Sequence, residues 1–218
     1  MYKLLNLDTW NRNEHFHFFK DYDNPFYNIC TEVDVTVLYN LCKEKGFSFF
    51  FASLFASTKA ANLTEEFRYR IKDGKVIVYD LIHPGSTFLN EDNTFRFVYF
   101  NFNYSFQKFN AEAEKIIKNI STGKNKTMLV HEEQDNLIHY SVIPWISFSS
   151  ISHARNFKTN DSIPKIVFGK HSAKSGRLVM PVSVEVHHAL VDGFHVANYL
   201  NKFQEILNRP AAHLDAGA

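Results

Sequence analysis

The chain has 218 residues, enough for one domain or at most two small ones with a substantial core, and 45% of them are hydrophobic, with 22 Phe and 10 Tyr. A formal net charge of +1 gives no electrostatic case for a nucleic-acid partner or an anionic membrane surface. Two cysteines, Cys30 and Cys42, make no disulfide framework, no run approaches the roughly 18 apolar residues of a membrane span, and the N-terminus has no signal-like segment, so a soluble cytoplasmic protein is expected.

After a polar N-terminal segment, residues 27–33 (YNICTEV) read as a strand. Asp34 or Thr36 then caps a helix to about Lys45, which Gly46 stops. A second helix follows Ser48, with Phe51, Leu54, Phe55 and Thr58 on one face. The run YRIKDGKVIVYD contains two alternating segments joined by Asp73-Gly74, a strong hairpin signal. Residues 94–102 (TFRFVYFNF) are aromatic on both faces, as in a strand buried on both sides. Between Ser105 and Ser121, Phe106, Phe109, Ala113, Ile116, Ile117 and Ile120 follow the helical period. Strands return at about 137–147, 164–169 and 177–188. A last helix is expected from Gly193 to Asn208, burying Val196, Tyr199, Leu200, Phe203, Ile206 and Leu207. These elements predict an α/β sandwich on a mixed sheet, with residues 1–210 as one domain and 211–218 as a disordered tail.

The segment VEVHHALVDGFH (184–195) places two histidines where a strand gives way to a helix. Strand alternation puts Val182, Val184, Val186 and His188 on one face and Ser183, Glu185 and His187 on the other. His188 thus continues the apolar face, where desolvation favours a neutral imidazole suited to general-base work. His187 reads as a structural or surface histidine. Asp192 has an ordinary reading as the N-cap of the last helix. His187, His188, Asp192 and His195 are all metal-ligand types, but the two adjacent histidines point apart, and no metal is expected. On residue type and spacing alone, a core histidine and a helix cap account for the segment more readily than catalysis does.

His188 to Gly193 matches the HxxxDG motif of chloramphenicol acetyltransferases, dihydrolipoamide acyltransferases and condensation domains. The longer string HHALVDGFHVA resembles the chloramphenicol acetyltransferase family specifically. So do WNRNEHF (10–16), Glu66-Phe67-Arg68, Lys72-Asp73-Gly74, SVIPWISF (141–148) and Gly169-Lys170, in order and spacing over roughly residues 5–208. The resemblance implies a two-layer sandwich of a mixed, mostly antiparallel sheet with helices on one face. It further implies a homotrimer with active sites at the subunit interfaces, acetyl-CoA as co-substrate and the hydroxyl of chloramphenicol as acceptor, conferring antibiotic resistance. By the same resemblance His188 is the general base of a direct transfer in a ternary complex. Ser141 donates to the oxyanion, and Arg12 and Asp192 form a structural ion pair. Phe18, Phe19, Tyr27, Met128 and Ile151 line the acceptor pocket, with Pro25 near a position that is often Cys. The residues that bind the coenzyme are not assigned. Val167 stands where the family usually has Thr, His171 where Tyr is usual, Phe51 for a frequent Pro and Arg96 for a usual Ser, which bears on the acceptor rather than the chemistry. The alternatives are an O-acyltransferase for another hydroxylated small molecule and a non-enzymatic trimeric scaffold of the same fold. A dihydrolipoamide acyltransferase core is disfavoured by the WNRNEHF block and by the lack of a lipoyl domain or Ala/Pro-rich linker ahead of the fold.

Overall fold

The computed structural model describes residues 1–121, 134–156 and 161–214. Its frame is a seven-stranded mixed sheet ordered β2-β10-β8-β7-β5-β6, with the short β9 also paired to β10. The strands are β2 (Phe26–Asp34), β5 (His83–Leu89), β6 (Phe95–Tyr99), β7 (Leu137–Ile143), β8 (Lys165–Gly169), β9 (Ser172–Lys174) and β10 (Arg177–His187). Among the described residues only β5–β7 and β7–β8 run parallel, and the other pairs of this sheet are antiparallel. A separate three-stranded sheet is formed by β1 (Tyr2–Leu4), β4 (Lys75–Tyr79) and β3 (Tyr69–Lys72). The expected hairpin therefore exists, but it belongs to this smaller sheet. Its turn puts Asp73 and Gly74 at φ 51° and 70°, the left-handed pair that an Asp-Gly turn supplies at little steric cost.

The helices are α1 (Asn13–Phe19), α2 (Thr36–Lys45), α3 (Phe49–Asn62), α4 (Phe106–Ser121), α5 (Gly193–Asn208) and α6 (Pro210–Leu214). Ser48 Oγ caps α3 by accepting the Phe51 N–H at 3.4 Å. The sequence predicts one buried face for α3, yet Ala52, Ser53, Ala56, Ser57, Ala60 and Ala61 are buried as well as the large residues. Small side chains allow this helix to lie deep in the core against α5, α2 and α4. Three hydroxyls tie the layers together: Ser57 Oγ lies 2.9 Å from Tyr140 Oη on β7 and 2.6 Å from Tyr199 Oη on α5. The face of β7 that carries Tyr140 is thus the helix-covered face, and Ser141 belongs to the other. Among the described residues, no helix is long and apolar enough to cross a membrane.

Several expectations are corrected. The polar N-terminal segment contains β1 and α1, and β5 was not anticipated, because HPGSTFL carries Pro and Gly that mask a strand signal. The aromatic run 94–102 supplies only β6, and it lies at the sheet edge with Phe95 half exposed, not buried on both sides. Residues 211–214, read as the start of a disordered tail, belong to α6, and Leu214 is fully buried.

Gly169 closes β8 where nothing larger fits. An added Cβ would lie 2.6 Å from Pro181 Cγ and 2.8 Å from Phe148 Cε1. Because the proline ring cannot swing away, Gly169→Ala is expected to destabilise the fold by about 1–3 kcal/mol. A urea midpoint equal to that of the parent protein would show that Phe148 and Pro181 yield freely.

Candidate active site

β10 is buried on both faces, which sequence alternation alone did not foresee. Val182, Val184 and Val186 pack towards the helices, while Ser183, Glu185 and His187 on the opposite face are also below a tenth exposed. Chain from the segment after β7 covers that polar face. Arg155 donates to Glu185 through Nε at 2.6 Å and to Asp161 through Nη1 at 2.7 Å, and His153 Nδ1 lies 3.1 Å from Glu185. Burial alone would raise the Glu185 carboxyl, but the hydrogen bonds from His153 and Arg155 and the Arg155 charge outweigh it and hold the group below its usual range. His187 is therefore an interior residue, not a surface one. Its ring meets Phe26 edge-on, its Nδ1 accepts the Ala189 N–H at 3.2 Å, and burial and the Arg155 charge push its pKa down to about 4.

His188 lies one residue beyond the strand, in the turn that leads to α5, and is half-buried. Its N–H still donates to Pro25 O at 2.8 Å, so the backbone ladder with β2 carries on through this residue. The imidazole stacks on Phe19 at 4.1 Å between centroids with the planes only 6° apart, and Tyr27 lies 4.5 Å away on a tilted plane. Phe19 comes from α1 and Tyr27 from β2, so two elements distant in sequence fix the ring. The Tyr27 phenol is raised by burial and by the nearby Asp192 charge, which keeps it neutral.

Behind the imidazole lies the expected ion pair. Arg12 Nη1 pairs with Asp192 Oδ2, and Arg12 Nη2 donates to the His188 carbonyl at 3.2 Å. Asp192 is also the N-cap of α5, so the two readings of this residue hold together: its Oδ1 accepts the N–H groups of Phe194 and His195 at 3.0 and 3.4 Å. Burial would raise the Asp192 carboxyl, yet His195, Arg12 and these N–H donors hold it lowered. Two further residues join this network: Glu66, which the sequence did not flag for the site, and His195, which it offered only as a metal-ligand type. His195 Nδ1 accepts the Asp192 N–H at 3.1 Å, and His195 Nε2 lies 3.5 Å from Glu66. An Asp with a polar residue three positions on is a capping-box pattern and could have flagged His195; nothing local flags Glu66.

The remaining expected residues divide. Phe18 packs against Phe19 and Tyr22 but is 61% exposed. Ile151 is tied down through its carbonyl, which accepts from Asn28 Nδ2 at 2.7 Å. Met128 lies outside the described residues. Ser141 sits in β7 with no hydrogen-bond partner for its hydroxyl among the described residues. The register aligns it with Val167 on β8 and with Ser183 on β10. His188 is thus two strands and five residues away, on the order of 19 Å. Val167 itself is fully buried beside Ser141.

A cavity of about 260 Å³ opens between α3 and the ends of β7 and β8, lined by Phe49, Phe50, Val142, Phe168 and Met180 together with Lys170 and His171. Ser53 Oγ, which also lines it, is buried without a partner. His171 meets the rings of Tyr39 and Phe49 edge-on. Among the described residues, no group of three or more His, Cys, Asp or Glu side chains could hold a metal ion.

A family model described as chloramphenicol acetyltransferase matches residues 1–204. A chloramphenicol acetyltransferase of Staphylococcus aureus is 31% identical over 210 residues, 94% of this chain and 99% of that protein. Chloramphenicol acetyltransferase 3 of Escherichia coli is 29% identical over 211 residues, 95% of this chain and 97% of that protein. A solved chloramphenicol acetyltransferase structure superposes with a TM-score of 0.88 at 32% identity, covering 95% of this chain and 100% of the other. Sequence and fold agree over nearly the whole length, and on that ground the chain belongs to the chloramphenicol acetyltransferase family of acyltransferase enzymes.

Proposed function

We propose that this protein is a cytoplasmic homotrimer that transfers the acetyl group of acetyl-CoA to a hydroxyl of chloramphenicol, with each active site shared between two subunits. His188 acts as general base. Its ring is held by Phe19, Tyr27 and the Arg12 contact to its carbonyl, and takes the proton from the acceptor hydroxyl as that oxygen attacks the thioester carbonyl. The tetrahedral intermediate places negative charge on the former carbonyl oxygen, which the Ser141 hydroxyl stabilises. Collapse expels the thiolate of CoA, and the proton on His188 passes to it. No acyl-enzyme forms; both substrates are present together.

The observation that carries the shared site is the separation of His188 and Ser141 within one chain. About 19 Å is far beyond the reach of one reacting centre, which must lie within roughly 3 Å of both base and oxyanion donor. A second copy that brings its Ser141 to the first copy's His188 satisfies both distances. The aromatic rings beside His188 suit a flat aryl acceptor. The cavity beneath α3 is the candidate entry for the co-substrate: its apolar walls fit an alkyl-amide arm, its buried Ser53 hydroxyl lacks a partner, and Lys170 supplies positive charge for a phosphate.

Thiol release from acetyl-CoA, measured on purified protein with and without chloramphenicol, tests the reaction. Fast release that requires chloramphenicol supports it; release only with another hydroxylated acceptor would move the assignment to that substrate. Ser141→Ala should lower kcat by about 10²–10³-fold, the usual loss for one oxyanion donor, and change either KM little. Trimers assembled from His188→Ala and Ser141→Ala subunits mixed together should recover activity above both parents, because some interfaces then pair an intact His188 with an intact Ser141. Mixed trimers no more active than the parents would place the two residues in the same subunit's site.

A further inference from the structure

The ion pair behind His188 does not end at Asp192. His195 is the third residue of α5, and its ring closes a capping box by accepting the Asp192 N–H at 3.1 Å. The same Nδ1 also lies 2.9 Å from Asp192 Oδ1, and Nε2 lies 3.5 Å from Glu66 Oε1, which belongs to the 3₁₀ turn Glu65–Arg68. Both side chains are mostly covered, His195 at 12% and Glu66 at 26% exposure. The four side chains therefore form one chain, Glu66–His195–Asp192–Arg12, that terminates on the His188 carbonyl oxygen.

We propose that His195 and Glu66 are positioning residues for His188, acting through Asp192 and Arg12. The mechanism rests on how a carboxylate is aimed. Asp192 has extended backbone (φ −119°, ψ −178°), and the imidazole clamps its N–H from one side while the N–H groups of α5 hold Oδ1 from the other. With both ends of the residue fixed, Oδ2 points only at Arg12, whose second amino group then holds the His188 peptide plane. Nδ1 lies against Asp192, 3.1 Å from its backbone N and 2.9 Å from Oδ1, while Nε2 faces Glu66 Oε1 at 3.5 Å, so a carboxylate stands on each side of the ring and limits its rotation. Burial lowers the His195 pKa, against the opposing pull of Glu66 and Asp192. Nothing in the chain touches the reacting atoms. A loosened link misplaces the base without removing it, which affects the chemical step more than binding.

The proposal rests on the acetyl-transfer reading, and the test separates the two. In the intact protein His195→Ala should lower kcat by about 10-fold, with KM for acetyl-CoA and chloramphenicol within about twofold. His195→Gln should recover most of the loss, because a glutamine at this helix position re-forms the capping box and can still reach Glu66. In an Asp192→Asn background His195→Ala should add less than about twofold, since the link it supports is already broken. Glu66→Ala, which leaves the α5 cap intact, should lower kcat by about threefold and serves if His195→Ala does not fold. Equal losses for the alanine and glutamine variants, or a full multiplicative loss in the double variant, would overturn the inference. If the parent protein releases no thiol with any acceptor, the functional reading fails on its own. The positioning is then read from the ¹⁵N resonances of the His188 ring. They should shift in His195→Ala and return in His195→Gln, and unchanged resonances refute the chain.

Discussion

Replacing His188 with alanine is expected to lower kcat for acetyl transfer by about 10³-fold or more while the fold and assembly survive. Loss of a positioned general base is worth about 10²–10⁴-fold. His187, the adjacent histidine in sequence, is committed elsewhere: its Nδ1 accepts from Ala189, its ring meets Phe26, and Arg155 stands beside it. The half-buried ring of His188 leaves a gap between Phe19 and Tyr27 when removed, but its backbone bonds to Pro25 and Arg12 do not depend on the side chain. Melting temperature and sedimentation should therefore stay near those of the parent protein. Turnover within tenfold of the parent would remove His188 from the role of base.

Asp192→Asn tests the other half of the site and should act on stability. Asparagine is isosteric and still caps α5, so the substitution isolates the charge. Arg12, at 8% exposure, is left without its counter-charge, and breaking a buried pair costs about 3–5 kcal/mol. Asp192 is 32% exposed, so solvent screening brings the expected loss down to about 2 kcal/mol. For a chain of this size that is a fall in Tm of about 4–8 °C, whereas Ser141→Ala, which breaks no hydrogen bond among the described residues, should move Tm by no more than about 2 °C. The pH dependence has a definite sign. Because the Asp192 pKa is lowered in the folded state, its stabilisation is present above the ordinary value of 3.8 and is lost as pH falls through the folded value. The gap between parent and variant should thus be full at pH 7 and narrow only below about pH 3.8. Equal melting curves at pH 7 would reduce Asp192 to a helix cap.

The departures from the family pattern have different standing in the fold. Val167 is fully buried at the register position beside Ser141. His171 lines the cavity beneath α3. Arg96 sits on the edge strand β6 and is tied to Asn90. Phe51 is buried in the first turn of α3 against Phe100.

Elements whose signals are local were legible before any contact was known. The helix over 193–208 is found with the bounds expected, because its apolar period and its Asp192 cap lie within sixteen consecutive residues and the one before them. The Asp73-Gly74 turn and the stop at Gly46 were legible for the same reason: a left-handed backbone there is chemistry of one or two residues. Tertiary structure alone decided what those elements meet. Alternation assigned His187 to a polar face, but only the return of the chain through Arg155 buries that face and lowers the histidine. Glu66 reaches His195 across 129 residues, a contact that no periodicity encodes. The sheet order decided the rest, since β10 lies beside its sequence neighbours β8 and β9 on one side and pairs with β2, from the far end of the chain, on the other. That pairing puts His188 beside Phe19 and Tyr27 and leaves Ser141 two strands away, so that the two residues proposed for the chemistry do not meet within one chain. The physical reason is that propensity and period act over a few residues, whereas burial and charge pairing depend on which surfaces the packed elements present to one another.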